Sequence, residues 1–304
     1  MAGRILLSGA SGMLGGALRH SFATDFETLQ LVRRQPTNRS EVEWRPGSAI
    51  ASAPAFADIN ALEGLTAAIH LAGANLAGKR WTEAYKRELI ESRVTTTRAL
   101  SQALASLTRP PKVLIVASAT GIYGDRGEEL LDESSEPGTG FLADLCCAWE
   151  EAAASAKHAG IRVVHLRTGV VIGAGGGALA QMLPIFRLGL GGPLGNGRQW
   201  MSWIGLDDWV SAVHFLLNEG NLSGPINLVA PNAVTSARFA HALGHAVHRP
   251  AILRAPAFAL RIALGEMADE ALLASARVVP KRLLDAGFTF RDPTMHEALR
   301  AALD

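Results

Sequence analysis

The chain has 304 residues, 48% of them hydrophobic and 19% charged, with a formal net charge of +1 at pH 7. A chain of this size and balance buries a substantial core, and a near-neutral total gives no reason to expect nucleic acid or an anionic membrane as a partner. Its two cysteines, Cys146 and Cys147, are adjacent, which suits neither a structural disulfide nor a zinc-ligand spacing, so no metal is expected.

In chain order, Ile5 to Ser8 reads as a short buried strand, followed by a helix from about Met13 to Phe22. Thr28 to Arg33 and Ala67 to Ala72 are further short strands. Trp81 to Leu107 has helical periodicity, with Leu89, Ile90, Val94, Leu100 and Leu104 on a shared face, and Pro110-Pro111 stops it. Lys112 to Ser118 is the clearest central strand; a helix over roughly 140–158 and a strand from Ile161 to Leu166 follow. Strands apolar on both faces that alternate with helices predict a doubly wound parallel sheet, with ligand at the carboxyl ends of the strands.

After Arg167 the glycine clusters 173–177 and 189–197 introduce a run of short helices and strands. The division expected is a Rossmann dinucleotide domain over 1–170, interwoven with later segments, and a smaller α/β substrate or lid region over 171–304. No stretch reaches the ~18–20 continuous apolar residues that cross a bilayer. The apolar run Arg4-Ile5-Leu6-Leu7-Ser8 is too short for a signal sequence, so a cytoplasmic location is the expectation.

The glycines Gly9, Gly12 and Gly15 lie between the first strand and the first helix. The first allows a tight turn, the second lets backbone approach a pyrophosphate, and the third lets helix and strand pack closely, while the helix N-terminus offers N–H groups to the phosphates. An NAD site has a carboxylate about 20 residues on for the ribose 2′-hydroxyl. Here Arg33 and Arg34 end the second strand with no acid beside them in sequence, a pair suited to a 2′-phosphate, so NADP(H) is favoured over NAD.

Gly9-x-x-Gly12-x-x-Gly15, His70-Leu71-Ala72-Gly73 and Ser118-Ala-Thr120-Gly-Ile-Tyr123-Gly124, with Trp203-Ile-Gly-Leu-Asp207-Asp208, make the chain resemble the extended short-chain dehydrogenases/reductases. The tail Ala255-Pro256-Ala257-Phe258 … Gly265-Glu266-Met267-Ala268 … Pro280-Lys281-Arg282-Leu283 … Gly287-Phe288-x-Phe290 narrows the resemblance to the atypical "epimerase family" group with its characteristic C-terminal segment over about 250–300. The resemblance implies an NADP(H) site contacting Ser11, Met13, Leu14, Leu71, Ala72, Gly73 and Ser118 besides the glycines and arginines.

Active members of that superfamily carry a Tyr-x-x-x-Lys pair, in which the lysine lowers the phenol pKa. Tyr85 and Tyr123 are the two tyrosines, and neither has a lysine four positions on. The candidates left for proton transfer are Thr120, Tyr123 and Asp144, with Cys146 and Cys147 beside them. Tyr123 and the cysteines read equally as packing groups, and Asp144 as a solvated helix residue. Arg93 reads as either an active-site contact or a buried structural group. Trp203 and Trp209 read as core, whereas Trp200 with Arg198 and Gln199 is placed to touch a substrate. His241, His245 and His248 share a helix face, read as polar rather than metal-binding. Two functions follow: an NADP-dependent oxidoreductase or epimerase-like enzyme acting on a small or nucleotide-linked substrate, with a homodimer possible, or a non-catalytic NADP(H)-binding regulatory protein.

Overall fold

The structure, a computed structural model, describes residues 3–46, 55–173 and 175–303. Along the chain come β1 (Gly3–Ser8), α1 (Met13–Ser21), β2 (Phe26–Val32), β3 (Glu41–Glu43), β4 (Ala67–His70), α2 (Glu83–Ile90), α3 (Thr96–Ala105), β5 (Val113–Ala119), β6 (Leu130–Leu131), α4 (Phe141–Glu151), α5 (Ala154–His158) and β7 (Arg162–Thr168). There follow β8 (Val170–Ile172), α6 (Gly177–Arg187), β9 (Trp200–Met201), β10 (Trp203–Gly205), α7 (Leu206–Asn218), β11 (Gly224–Leu228), β12 (Val234–Thr235), α8 (Ser236–Ala246), α9 (Ala257–Leu264), β13 (Arg277–Val278), α10 (Lys281–Asp285) and α11 (Met295–Leu303).

Seven strands form one parallel sheet in the order β11-β7-β5-β4-β1-β2-β3. Alternate side chains serve opposite layers. Leu6, Ala68, Leu114 and Val116 pack with Tyr85, Leu89, Leu104 and Trp149 of α2, α3 and α4. Ile5, Leu7, Ile69 and Ile115 pack with Leu18 of α1, Trp209 and Val213 of α7 and Leu283 of α10. Val113 to Val116 are buried in succession because both faces of the sheet are covered. A third core joins α6, α8 and α11 around Trp203.

Three features differ from the sequence expectation. The helix over 81–107 is not continuous: a π turn at Glu91–Thr95 separates α2 from α3. The helix over 140–158 likewise divides, between α4 and α5. The sheet gains β3, whose Glu-Val-Glu sequence carries no apolar run, and β11, a strand from the second half that pairs with β7.

Candidate dinucleotide crevice

From β1 the chain winds outward through β2 and β3 on one side, and through β4, β5, β7 and β11 on the other. The switch point lies between β1 and β4, whose ends are level at Ser8 and His70. An open parallel sheet takes its ligands in the crevice beyond that point.

The glycine turn lines this crevice with backbone. Gly9 has φ +73°, and a Cβ there would stand 2.9 Å from the Leu71 carbonyl carbon. A Cβ on Gly15 would stand 2.2 Å from the Gly9 carbonyl oxygen. Both positions therefore require glycine. Gly12 differs: its Cβ would meet only the Gly9 oxygen, at 3.5 Å, and its φ of −77° is open to any residue. It is the N-cap of α1, no side chain caps that terminus, and the first turn holds no acid. The amide groups and the partial positive charge of the helix end thus meet the crevice unobstructed, an arrangement that fits a pyrophosphate. Ser11 is exposed and Leu14 half-buried. The Met13 side chain rests against Gly176 and Gly177, bringing the loop after β8 over the turn.

At the end of β2, Arg33 and Arg34 are both exposed. They are not equivalent, because an acid farther along the chain reaches one of them. Arg34 makes a bidentate pair with Glu41 of β3, Nη1 to Oε2 at 2.9 Å and Nη2 to Oε1 at 2.6 Å. The Arg34 bond and the Thr37 amide hold the Glu41 carboxyl down at about 2. Arg33 has no ion-pair partner among the described residues.

A buried chain of hydrogen bonds ties β1 to β4. The amides of Leu71 and Ala72 donate to Ser8 Oγ at 3.2 and 3.3 Å. The Ser8 hydroxyl therefore donates onward to His70 Nδ1, 2.6 Å away. Burial pushes the fully enclosed His70 imidazole down to about 3, so it is neutral and its Nε2–H faces Thr96 Oγ1 at 3.2 Å. Thr96 donates in turn to Ser92 O at 2.7 Å. The Leu71-Ala72-Gly73 loop is fixed from beneath by this chain, and again where the Ala74 amide donates to Ser92 Oγ at 3.0 Å.

The β5 wall is built from saturated side chains. Arg167 holds Glu150 with two bonds of 2.9 and 3.0 Å. Burial opposes ionisation of Glu150, but the guanidinium outweighs it and keeps the carboxyl below its usual range. Ser118, expected at the cofactor, is buried and donates to Glu150 Oε1 at 2.8 Å. Tyr123 is fully buried, with its hydroxyl among Asn227 Oδ1 at 2.8 Å, Asp132 O at 3.0 Å and Arg167 Nη1 at 3.1 Å. Burial raises its pKa, and its hydroxyl is engaged by these three protein groups. Asp144 is exposed on α4, and Thr120 is half-buried at the head of the turn Thr120–Tyr123. Burial pushes the Cys146 thiol up to about 12 and raises Cys147 as well, so neither is a thiolate at neutral pH.

One acid that sequence reasoning missed reaches this wall. Glu270, in the turn Ala268–Leu273, accepts the amides of Phe141 and Leu142 at 3.1 Å each, at the N-terminus of α4. It fills the place a Cβ on Gly140 would take, 2.3 Å from Oε1. Lys86 pairs with Glu266 and lies over the Phe141 ring, 5.1 Å from its centre. The C-terminal segment is thereby docked on the N-terminal end of α4. Further out, a cavity of about 400 Å³ is lined by Glu128, Arg198, Gln199, Arg261 and Ser275. Trp200 flanks it, donating to Glu128 at 2.8 Å and stacked by Arg277. A larger cavity, about 680 Å³, lies instead along α4, α5, β7 and β11.

A backbone-lined crevice at the switch point of a seven-stranded parallel sheet defines a Rossmann fold. The model of the "NAD dependent epimerase/dehydratase family" matches residues 5–228, and that of the "Domain of unknown function (DUF1731)" matches 255–302. The "Epimerase family protein Mb2239" of Mycobacterium bovis is 45% identical over 296 residues, 97% of this chain and 96% of its own. The crystal structure of human epimerase family protein SDR39U1 with NADPH superposes with a TM-score of 0.86 at 31% identity, covering 98% of both chains. A nucleoside-diphosphate sugar epimerase of Corynebacterium glutamicum superposes at 0.81 and 33% identity, covering all of this chain and 58% of its own. The chain belongs to the NAD dependent epimerase/dehydratase family, in the epimerase family protein group that carries the C-terminal DUF1731 domain.

Proposed function

We propose that the chain binds NADP(H) in the switch-point crevice and acts as an oxidoreductase or epimerase-like enzyme on a small or nucleotide-linked substrate. The observation that carries this reading is the uncapped N-terminus of α1, set behind two positions where a Cβ would strike backbone. Met13, Leu14 and the turn amides would hold the pyrophosphate, and Arg33 the 2′-phosphate, with Arg34 kept in place by Glu41. Leu71, Ala72 and Gly73 would form the floor under the second half of the cofactor. The nicotinamide, when bound, supplies a hydride donor or acceptor. Residues 171–304 would form the substrate side, where Arg198 suits an anionic group. Among the described residues no helix is long and apolar enough to cross a membrane; a relative from Arabidopsis thaliana is described as chloroplastic.

A second reading, a non-catalytic NADP(H)-dependent binding protein, is favoured by the β5 wall, where Tyr123 is locked and both thiols are protonated. The two are separated by following NADPH absorbance against a panel of carbonyl metabolites and nucleotide sugars. Turnover that disappears in Gly15→Val supports the enzyme. A silent panel, with NADPH raising the melting temperature, supports the binding protein; stabilisation by mass action is about 2.7 kcal/mol at a hundred times Kd. No stabilisation by NADPH at any concentration contradicts both.

A further inference from the structure

Arg93 sits in the π turn Glu91–Thr95 and is 8% exposed. Its guanidinium donates to Leu89 O at 3.2 Å and Ala74 O at 2.9 Å, and lies 5.2 Å from the centre of the Trp149 ring. It lies directly against the loop after β4, where a Cβ on Gly73 would stand 3.4 Å from Cζ. No ion pair among the described residues includes it. Arg167, equally buried, has Glu150 as a bidentate partner.

Of the titratable groups that face Arg93, burial keeps the Cys146 thiol protonated, and the Tyr85 hydroxyl is turned to donate to Asn75 O. Nearby, Glu270 is compensated by two helix amides and stands in the field of Lys86. A guanidinium stays protonated even when burial disfavours its charge. The β4 side of the crevice therefore contains a fixed, unneutralised positive charge in a poorly screened setting, where charges act over longer distances than in water. Burying such a charge is costly, and a π turn is a common local irregularity at functional positions.

A dinucleotide lying across the switch point with its 2′-phosphate at Arg33, beyond β2, has its nicotinamide half on the other side, above β4 and β5. The oxidised nicotinamide ring carries a positive charge; the reduced ring is neutral. We propose that Arg93 is a specificity-determining residue that makes the crevice prefer the reduced cofactor, NADPH, over NADP⁺. The inference rests on the NADP(H) reading above. It concerns only the discrimination between the two redox forms and assigns Arg93 no step in a reaction.

The test is a fluorescence titration with NADPH followed by displacement with NADP⁺, in the wild-type chain and in Arg93→Gln, Arg93→Lys and Arg33→Ala. Wild type is expected to bind NADPH at least tenfold more tightly. Arg93→Gln reduces that ratio about tenfold, Arg93→Lys restores most of it, and Arg33→Ala weakens both forms while leaving the ratio unchanged. The wild-type ratio is also expected to persist between 50 and 500 mM KCl, because a buried charge is little screened; this measurement holds even if Arg93→Gln does not fold. Equal wild-type affinities, a ratio that vanishes with salt, or an unchanged ratio in folded Arg93→Gln would overturn the inference while leaving NADP(H) binding intact. Binding of neither form would instead overturn the cofactor reading itself.

Discussion

The two walls of the crevice are built by opposite means. On the β1 side, Gly9, Gly12 and Gly15 remove side chains so that amides face the ligand, and on the β5 side Ser118, Tyr123, Glu150 and Arg167 spend their polar groups on one another. An exposed helix end has unmet donors and can receive an anion; a saturated network fixes shape and has little left to offer a substrate. The difference teaches how the two walls divide their polar groups: the bare wall leaves donors open toward the crevice, and the saturated wall turns its polar groups inward.

Four changes sharpen or break that contrast, in falling order of expected effect. Glu150→Gln leaves Arg167 buried without its countercharge and should cost about 3–5 kcal/mol in urea denaturation. A loss near zero would mean the β5 wall is not held by this pair. Gly15→Ala drives a Cβ into the Gly9 carbonyl; overpacking of this kind costs about 1–3 kcal/mol, and NADPH affinity should fall with it. An unaltered midpoint and affinity would show that the turn tolerates a side chain.

His70 gives a pH signature. Its folded value, about 3, lies well below the 6.5 of free imidazole, so the unfolded chain takes up this proton first. The stability it confers is complete above about pH 6.5 and declines as pH falls toward 3, by up to about 1.4 kcal/mol per unit. The gap in stability between wild type and His70→Gln should narrow between pH 7 and 5; a constant gap argues against a neutral buried imidazole. The smallest effect is expected of Glu270→Ala. Loss of a carboxylate at the α4 N-terminus should cost about 1 kcal/mol, and a melting temperature unmoved by the change would show that the C-terminal segment docks without it.

The same contrast explains what could be read from sequence. The glycine turn was legible because tight backbone approach is written locally, in three glycines between a strand and a helix. Val113–Ala119 was legible because a doubly covered strand has to be apolar throughout. Glu41 was not, because its meeting with Arg34 depends on β3 pairing beside β2, and Glu-Val-Glu has no strand signature. His70 finds Ser8 and Thr96 at separations of 62 and 26 residues, and Glu270 reaches Phe141 across 129. Contacts of that range are set by the sheet order, not by any local pattern. The π turn that presents Arg93 was likewise hidden within a run that keeps helical periodicity on either side.

The central claim, that the bare N-terminus of α1 receives the cofactor's phosphates, is tested most directly at Gly12. This position has room for a side chain and an ordinary φ, and aspartate is a favourable N-cap. Gly12→Asp should therefore fold with its stability kept or slightly raised while placing a carboxylate where the anion binds. Isothermal calorimetry should show NADPH binding in wild type and a loss of at least a hundredfold in Gly12→Asp. Undiminished binding by the folded variant would contradict the account.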